Sequence, residues 1–399
     1  MAPTPAEAEA IILSQVTPFP VERVVLRDCA GRILREDIQA ERDNPPFDRV
    51  CMDGVAIASA AFADGARSFR IEATQAAGAV PLKLASPAGA IEAMTGAVLP
   101  HDTDCVIPVE EYDLADGMLI LKGDATAEPW RNIQRRGSDS KSGTPMLTAG
   151  MKLGAAEVAV VASAGRAEVA VSREPRIIVI STGDELIEPG KPIADHQIRR
   201  SNAYGVVAAL RLNGYQHVHD EHVRDDEALM KRRIGELLET HDVLVLSGGV
   251  SKGKFDFVPA TLAALGVTEK FHQVAQRPGR PMWFGVGPRG QLVFGLPGNP
   301  VSTLVCLLRY VLPALRSGVG WLPVPRERVR LLEPSGSRKM SYFMPVSLQP
   351  AAKELALASI RPPSGSGDFL TLAGTDGFVE LPPRGDGYPA GFEATLYRW

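Results

Sequence analysis

Two short apolar runs constrain this chain more than any other feature: RIIVIS (176–181) and DVLVLS (242–247). Neither alternates with polar residues, so each reads as a strand covered on both faces, as in a parallel sheet. Two segments with helical periodicity lie between them. SNAYGVVAALRLNG (201–214) offers Ser201 or Asn202 as N-cap and Gly214 as its stop, and RDDEALMKRRIGELLETH (224–241) is acidic in its first turn. Strand, helix, helix, strand predicts an α/β domain with a mostly parallel sheet. That domain starts after Pro175 and ends in PGNPVSTLVCLLRYVLPAL, a loop feeding an apolar helix.

The rest of the chain has a different character. Its 399 residues allow two or three domains at about 150 residues each. Residues 5–16 read as a short amphipathic helix, and VERVVLRDCAGRILREDI (21–38) shows two β-branched runs around Gly31, a hairpin or strand–turn–strand signal. From about 43 to 139 come short strands, including SFRIEA, DCVIPVE and MLIL, expected to form an irregular β-rich domain. LGAAEVAVVASAG (153–165) predicts a helix stopped by Gly165. After about 319, RERVRLLEP, YFMPVSLQP, ELALASIRP and DGFVELPP predict proline-punctuated strands of a small C-terminal β-domain.

Charge and cysteine usage narrow the function. Forty-three basic and 47 acidic residues give a net charge of −4 with no basic block, which disfavours general nucleic-acid binding. No apolar run approaches the ~20 residues of a membrane span, and the N-terminus is acidic where a signal peptide is basic. Cys29, Cys51, Cys105 and Cys306 are scattered, as expected for reduced thiols in a cytoplasmic protein.

Ligands of open parallel sheets bind beyond the carboxyl ends of the strands. RIIVI is followed by Ser181-Thr182-Gly183-Asp184-Glu185, and DVLVL by Ser247-Gly248-Gly249-Val250-Ser251. Glycine lets backbone N–H groups converge on a phosphate, and Pro297-Gly298-Asn299-Pro300 opens a helix whose N-terminus favours an anion. Each loop alone fits an ordinary tight turn; three in one domain point to a phosphate ligand. Glu185, Asp225 and Asp256 stand beside these loops, where carboxylates make electrostatic sense with Mg²⁺ between them and the phosphates. Glu185 and Asp256 fit solvated loop charges equally, and either Asp225 or Asp226 fits the N-cap of the following helix. Arg277-Pro278-Gly279-Arg280-Pro281 sets two guanidinium forks on a stiff turn, suited to an oxyanion or simply exposed. His217, His219 and His222 read as a solvated group.

Seven motifs in order, NPPFDRVCMDGVAI (44–57), MTGAVLP (94–100), RRGSD (135–139), STGDEL (181–186), SGGVSKGKFD (247–256), RPGRP (277–281) and LPGNPVS (296–302), resemble the MoeA family of molybdopterin molybdenumtransferases. The resemblance spans essentially the whole chain. It implies a multidomain α/β fold with a central molybdopterin-binding domain (175–318), an elongated linking domain (1–42 and 140–174), an inserted β-rich domain (43–139) and a C-terminal β-domain (319–399). It further implies a homodimer that inserts molybdate into adenylylated molybdopterin, releases AMP, depends on Mg²⁺ and works beside other cofactor-biosynthesis proteins.

Carried over by motif, the catalytic positions are Asp53, Thr95, Asp139, Glu185, Asp225 and Asp256, the last three also holding metal. Substrate would meet Ser181, Thr182, Gly183, Asp184, Ser247, Gly248, Gly249, Pro297, Gly298, Asn299, Arg277, Arg280, Pro281 and Ser366. Two departures stand out: arginines replace the lysines common at 277 and 280, and Gln273 stands where many relatives carry another lysine. The family's C-terminal arginine falls near Arg338, Lys339 and Met340 without a clear register. An adenylyltransferase would need only residues 175–318, and a non-catalytic scaffold of this architecture would need no paired carboxylates.

Overall fold

The computed structural model describes residues 2–249, 258–351, 355–365, 367, 368 and 370–399. Its centre is a six-stranded sheet in the spatial order Val218–Val223, Ile177–Thr182, Val243–Ser247, Leu292–Leu296, Trp283–Val286, Thr268–His272. The first three pairings are parallel and the last two antiparallel. The sheet is therefore mixed rather than mostly parallel throughout: consecutive chain segments fold back as hairpins at the far edge, where no helical crossover intervenes. Side chains alternate between two cores. Ile177, Val179, Val243 and Val245 face helices Asn202–Leu212 and Pro300–Gly318, whereas Ile178, Ile180, Leu244 and Leu246 face helices Glu227–Thr240 and Val258–Ala264.

The 21–38 segment does not form a hairpin. Val21–Val25 pairs antiparallel with Glu168–Ser172, and Ile38–Gln39 pairs with Pro145–Leu147. Both β-branched runs find partners more than 100 residues away because the chain leaves this ladder near Asn44 and returns at Ser140, where the Asn44 amide donates to the Ser140 carbonyl at 2.8 Å. The intervening residues build a second six-stranded sheet, ordered Cys105–Pro108, Gly54–Ile57, Gly89–Ala93, Ser68–Gln75, Met118–Leu121, Tyr112–Ala115. Its core contains Val55, Ile57, Phe69, Ile107 and Leu119.

The C-terminal strands close on themselves. Ser341–Gln349, Leu357–Ile360, Arg328–Leu331, Glu393–Arg398 and Gly377–Leu381 follow one another, and the last pairs back to the first, giving a barrel-like unit. Gln276–Arg277 adds to this unit in parallel, with Arg277 opposite Tyr342.

Three units are pinned together by buried charge. The long helix from Pro300 contains a π turn at Leu307–Val311, just before Pro313, whose ring could not fit a regular helix. That turn carries Arg309, whose side chain is 2% exposed and pairs with Glu9 at 2.8 Å and Glu380 at 3.0 Å. Glu9 lies in the N-terminal helix Pro5–Gln15, capped by Thr4 with Glu7, while Glu380 belongs to the barrel and also accepts from the Tyr397 hydroxyl. Ala8 and Ile12 of the same helix join the α/β core. Removing one partner of such a pair strands the other in low dielectric. Arg309→Ala should therefore lose about 3–5 kcal/mol of stability, read as a shift in the denaturant midpoint; a loss below about 1 kcal/mol, the range of an exposed pair, would make it a surface interaction.

Candidate functional site

The central strands run in matched register, Ser181 opposite Ser247 and Ser247 opposite Leu296. The three loops singled out by sequence therefore leave the sheet at one level, on its carboxyl edge. The chain crosses from one side of Ile177–Thr182 to the other between its helices, which makes this edge the topological switch point. A cavity of about 490 Å³ opens there, lined by Ser181, Thr182, Glu185, Ser247, Gly248, Gly298 and Asn299, with Leu186, Ile198, Arg199, Arg200, Ser201, Asn202, Pro300 and Gly367 completing the wall.

Asn202 ties two of the loops together. Its amide nitrogen lies 2.7 Å from the Gly298 carbonyl, 3.1 Å from the Ser247 hydroxyl and 3.2 Å from the Thr303 hydroxyl. Gly248, at φ +96°, comes so close to Thr182 that a Cβ would sit 2.9 Å from its carbonyl oxygen. Four polar atoms on this wall are buried without a hydrogen-bond partner among the described residues: Ser181 Oγ, Thr182 Oγ1, Asn202 Oδ1 and Arg200 Nη1. Buried polar groups are normally paired, so such a cluster marks a place built for a ligand. Sequence reasoning missed Arg200, which is 6% exposed and held by Glu188 at 3.0 Å and Asp220 at 2.7 Å. Buried arginines have no sequence signature; only the fold brings its two carboxylates together.

The carboxylates separate by role. Asp226, not Asp225, caps helix Glu227–Thr240, accepting from the Leu229 amide at 2.7 Å. Asp225 is left facing Asp184 and Glu185; partial desolvation, then these two charges, push its carboxyl above the ordinary range. His222 departs from the solvated reading: its Nε2 lies 2.9 Å from the Gly183 carbonyl, while His217 and His219 are exposed. Among the described residues no three His, Cys, Asp or Glu side chains could by themselves hold a metal ion. Asp256 and Ser366 lie outside the described residues, as do Val250 and Ser251.

Next to Ser366, Gly367 reaches the cavity from a loop pinned by Asp368. This carboxylate accepts from the Ser364 and Thr371 amides at 3.1 and 3.2 Å. The Thr371 hydroxyl, with those amides, holds its carboxyl down to about 2.

The arginine turn and the inserted sheet are separate features. Arg277 and Arg280 are exposed and, among the described residues, their side chains have no hydrogen-bond or ion-pair partner. Pro281 follows on the same turn, and Arg338 of the barrel stacks 4.8 Å from the ring centre of Tyr342, the residue opposite Arg277. In the inserted sheet, Asp53 accepts from the Thr95 amide at 2.7 Å and hydroxyl at 2.8 Å, which hold its carboxyl below the ordinary range. Asp139 instead accepts from Gln134 at 2.7 Å. No hydrogen bond or ion pair among the described residues joins Asp53, Thr95 or Asp139 to the cavity.

Three family models match in sequence order: the MoeA N-terminal region (domain I and II) over residues 4–165, a "Probable molybdopterin binding domain" over 178–317, and the MoeA C-terminal region (domain IV) over 328–399. The chain is 40% identical over 370 residues to a molybdopterin molybdenumtransferase of Synechocystis sp., covering 92% of this chain and 93% of that one. A Staphylococcus aureus enzyme of the same name is 32% identical, covering 96% and 93%. A MoeA crystal structure from Pyrococcus horikosii superposes with a TM-score of 0.83 at 30% identity, covering 100% of this chain and 99% of that one.

The cap assignment is testable through stability. Asp226→Ala should cost about 0.5–2 kcal/mol. Asp225 behaves oppositely: a raised folded pKa favours folding only below the unfolded value, and that benefit is gone once pH rises through the folded value. Asp225→Asn should therefore raise Tm at pH 7 without divalent cations, and the gain should shrink as pH falls through the carboxylate range. Equal losses in both variants would give the two aspartates one shared role. With the motif order, the strand-end cavity and the matches over nearly all its length in agreement, the chain belongs to the MoeA family of molybdopterin molybdenumtransferases.

Proposed function

We propose that this chain inserts molybdate into adenylylated molybdopterin and releases AMP. The observation that carries this reading is the cavity wall at the strand ends, whose buried polar atoms have no partner among the described residues, with two exposed arginines on a separate turn. A dithiolene ligand with a phosphate chain and a tetrahedral dianion need two kinds of seat. Ser181 and Thr182 hydroxyls donate to phosphate oxygens, and the helix that starts at Pro300 turns its positive N-terminal end toward the same cavity, where Pro300 is part of the wall. Asn202 holds the Ser247 and Gly298 loops at fixed spacing, so the ligand meets preformed donors. Arg277 and Arg280, with Arg338 close to the same strand, offset the charge of molybdate. One molybdate oxygen leaves as water, taking the protons of the two dithiolene thiols as their sulfurs bind molybdenum, and a second water splits the pyrophosphate into AMP and the pterin's own phosphate.

Glu185 and Asp225 are the described residues that would hold Mg²⁺; Asp256, the third carboxylate the motifs imply, lies outside the described residues. Crowding of Asp184, Glu185 and Asp225 fits a cation, since like charges at close range are relieved by one. When bound, Mg²⁺ would neutralise the pyrophosphate and steady the charge growing on departing AMP.

A homodimer accounts for Asp53 and Thr95, which stand apart from their own chain's cavity. The helix Ala155–Ser163, AAEVAVVAS, is apolar apart from Glu157 and Ser163 yet buries only Val161, and Val21 and Val25 beside its sheet are 52% and 43% exposed. A second copy covering this face would carry the inserted sheet toward the partner's cavity.

Purified protein given adenylylated molybdopterin, Mg²⁺ and molybdate should release AMP and retain molybdenum; AMP transfer from ATP without molybdate uptake would replace this reading with adenylylation. Asp53→Ala and Glu185→Gln chains should each lose turnover, and mixing them should restore part of it through heterodimers. No recovery would exclude a site shared between chains. Ala159→Asp should shift the mass measured by light scattering from dimer to monomer, and an unchanged dimer would move the interface elsewhere.

A further inference from the structure

Two arginines make an oxyanion seat only if something holds their turn in one shape. The turn's own backbone does part of this: the Val274 amide donates to the Arg280 carbonyl at 2.9 Å. The rest comes from beneath. Gln276, Cys306 and Tyr310 are all fully buried, at 0% exposure, and form a polar cluster inside an otherwise apolar core. The Tyr310 hydroxyl donates to Gln276 Oε1. Gln276 Nε2 donates to the Pro278 carbonyl at 3.0 Å and lies 3.6 Å from Cys306 Sγ, while the Cys306 thiol lies 3.7 Å from the Gly279 carbonyl.

This order is enforced by chemistry. A flipped Gln276 amide would set its oxygen against the Pro278 carbonyl, so the Pro278 bond and the tyrosine donor fix each other. Burial pushes the Tyr310 phenol well above its ordinary range, so it stays a donor. Gly279, at φ +91°, rests directly on the cluster: a Cβ there would lie 2.6 Å from both Cys306 Sγ and Gln276 Nε2. Buried polar groups cost desolvation that apolar side chains of the same size would not. What this cluster achieves is to bond the two carbonyls lying between Arg277 and Arg280.

Cys306 and Tyr310 also belong to the helix that begins at the cavity loop, so one rigid element sets both seats. We propose that Gln276, Tyr310 and Cys306 are positioning residues for the oxyanion seat, fixing the spacing of Arg277 and Arg280 without touching the oxyanion. The inference rests on the reading of that turn as the molybdate-binding element.

The test is molybdate dependence of AMP release in Gln276→Met and Tyr310→Phe, with affinity for adenylylated molybdopterin measured in parallel. Losing one neutral hydrogen bond's worth of positioning should raise the half-saturating molybdate concentration roughly three- to tenfold. Turnover at saturating molybdate and pterin affinity should stay near wild type. In an Arg277→Ala/Arg280→Ala background, adding Gln276→Met should produce no further change, because nothing remains to position. Tyr310→Phe keeps the ring in the core and carries the test if Gln276→Met folds poorly. A raised molybdate requirement in the arginine variants, with wild-type dependence in Gln276→Met and Tyr310→Phe, would overturn the positioning role. So would a Gln276→Met effect that persists undiminished without the arginines. Unchanged molybdate dependence in the arginine variants themselves would instead remove the oxyanion reading of the turn, and this inference with it.

Discussion

The parallel register of Ile177–Thr182, Val243–Ser247 and Leu292–Leu296 is the constraint from which the site follows. Because Ser181, Ser247 and Leu296 stand side by side, three loops far apart in sequence emerge together. Hydrogen bonding along the sheet sets that level to within a residue, since a slip of one would turn every side chain to the opposite face. Here a slip would also exchange the two cores, which are lined by alternate residues of the same strands. The packing of both helical layers therefore protects the alignment of the loops.

The helix starting at Pro300 transmits this order outward. Its first turn faces the cavity, Cys306 and Tyr310 underlie the arginine turn, and Arg309 binds both the N-terminal helix and the barrel. Four features of the molecule thus refer to one rod. The π turn carries both Arg309, which reaches Glu9 and Glu380, and Tyr310, which reaches Gln276, just before Pro313. The inserted sheet has no such tie. It is joined through the ladder of residues 21–44 and 140–172, so its geometry toward a cavity is set by the linking strands and by any partner covering their apolar face.

Much of this was legible in advance because the central strands are buried on both faces and announce themselves as unbroken apolar runs. Gly-rich turns after such strands are equally plain, since only a few residues tolerate the backbone they need. The linking segment reads as a hairpin or a strand–turn–strand unit, and its strands form without pairing to each other, for the converse reason: β-branched residues say that a strand forms, not which strand it meets. Its partners lie beyond an insertion, and nothing local encodes that. Adjacent aspartates posed a similar difficulty. Asp225 and Asp226 are equivalent as caps in sequence, and only the path of the chain into the helix turns Asp226 onto the Leu229 amide and leaves Asp225 with Asp184 and Glu185.

By itself, the sequence determined the strands, the helices, the three strand-end loops and the family, all of which follow from local periodicity, turn chemistry and ordered motifs. Only the tertiary structure decided which groups meet. It buried Arg200 between Glu188 and Asp220, aimed His222 at the Gly183 carbonyl, set Gln276 over Tyr310, and bonded Asp53 to Thr95 outside the cavity's lining. The physical reason is range. Propensity and periodicity act over a few residues, whereas ion pairs, buried hydrogen bonds and strand partners are chosen by packing across the whole chain, where sequence distance carries no information about contact.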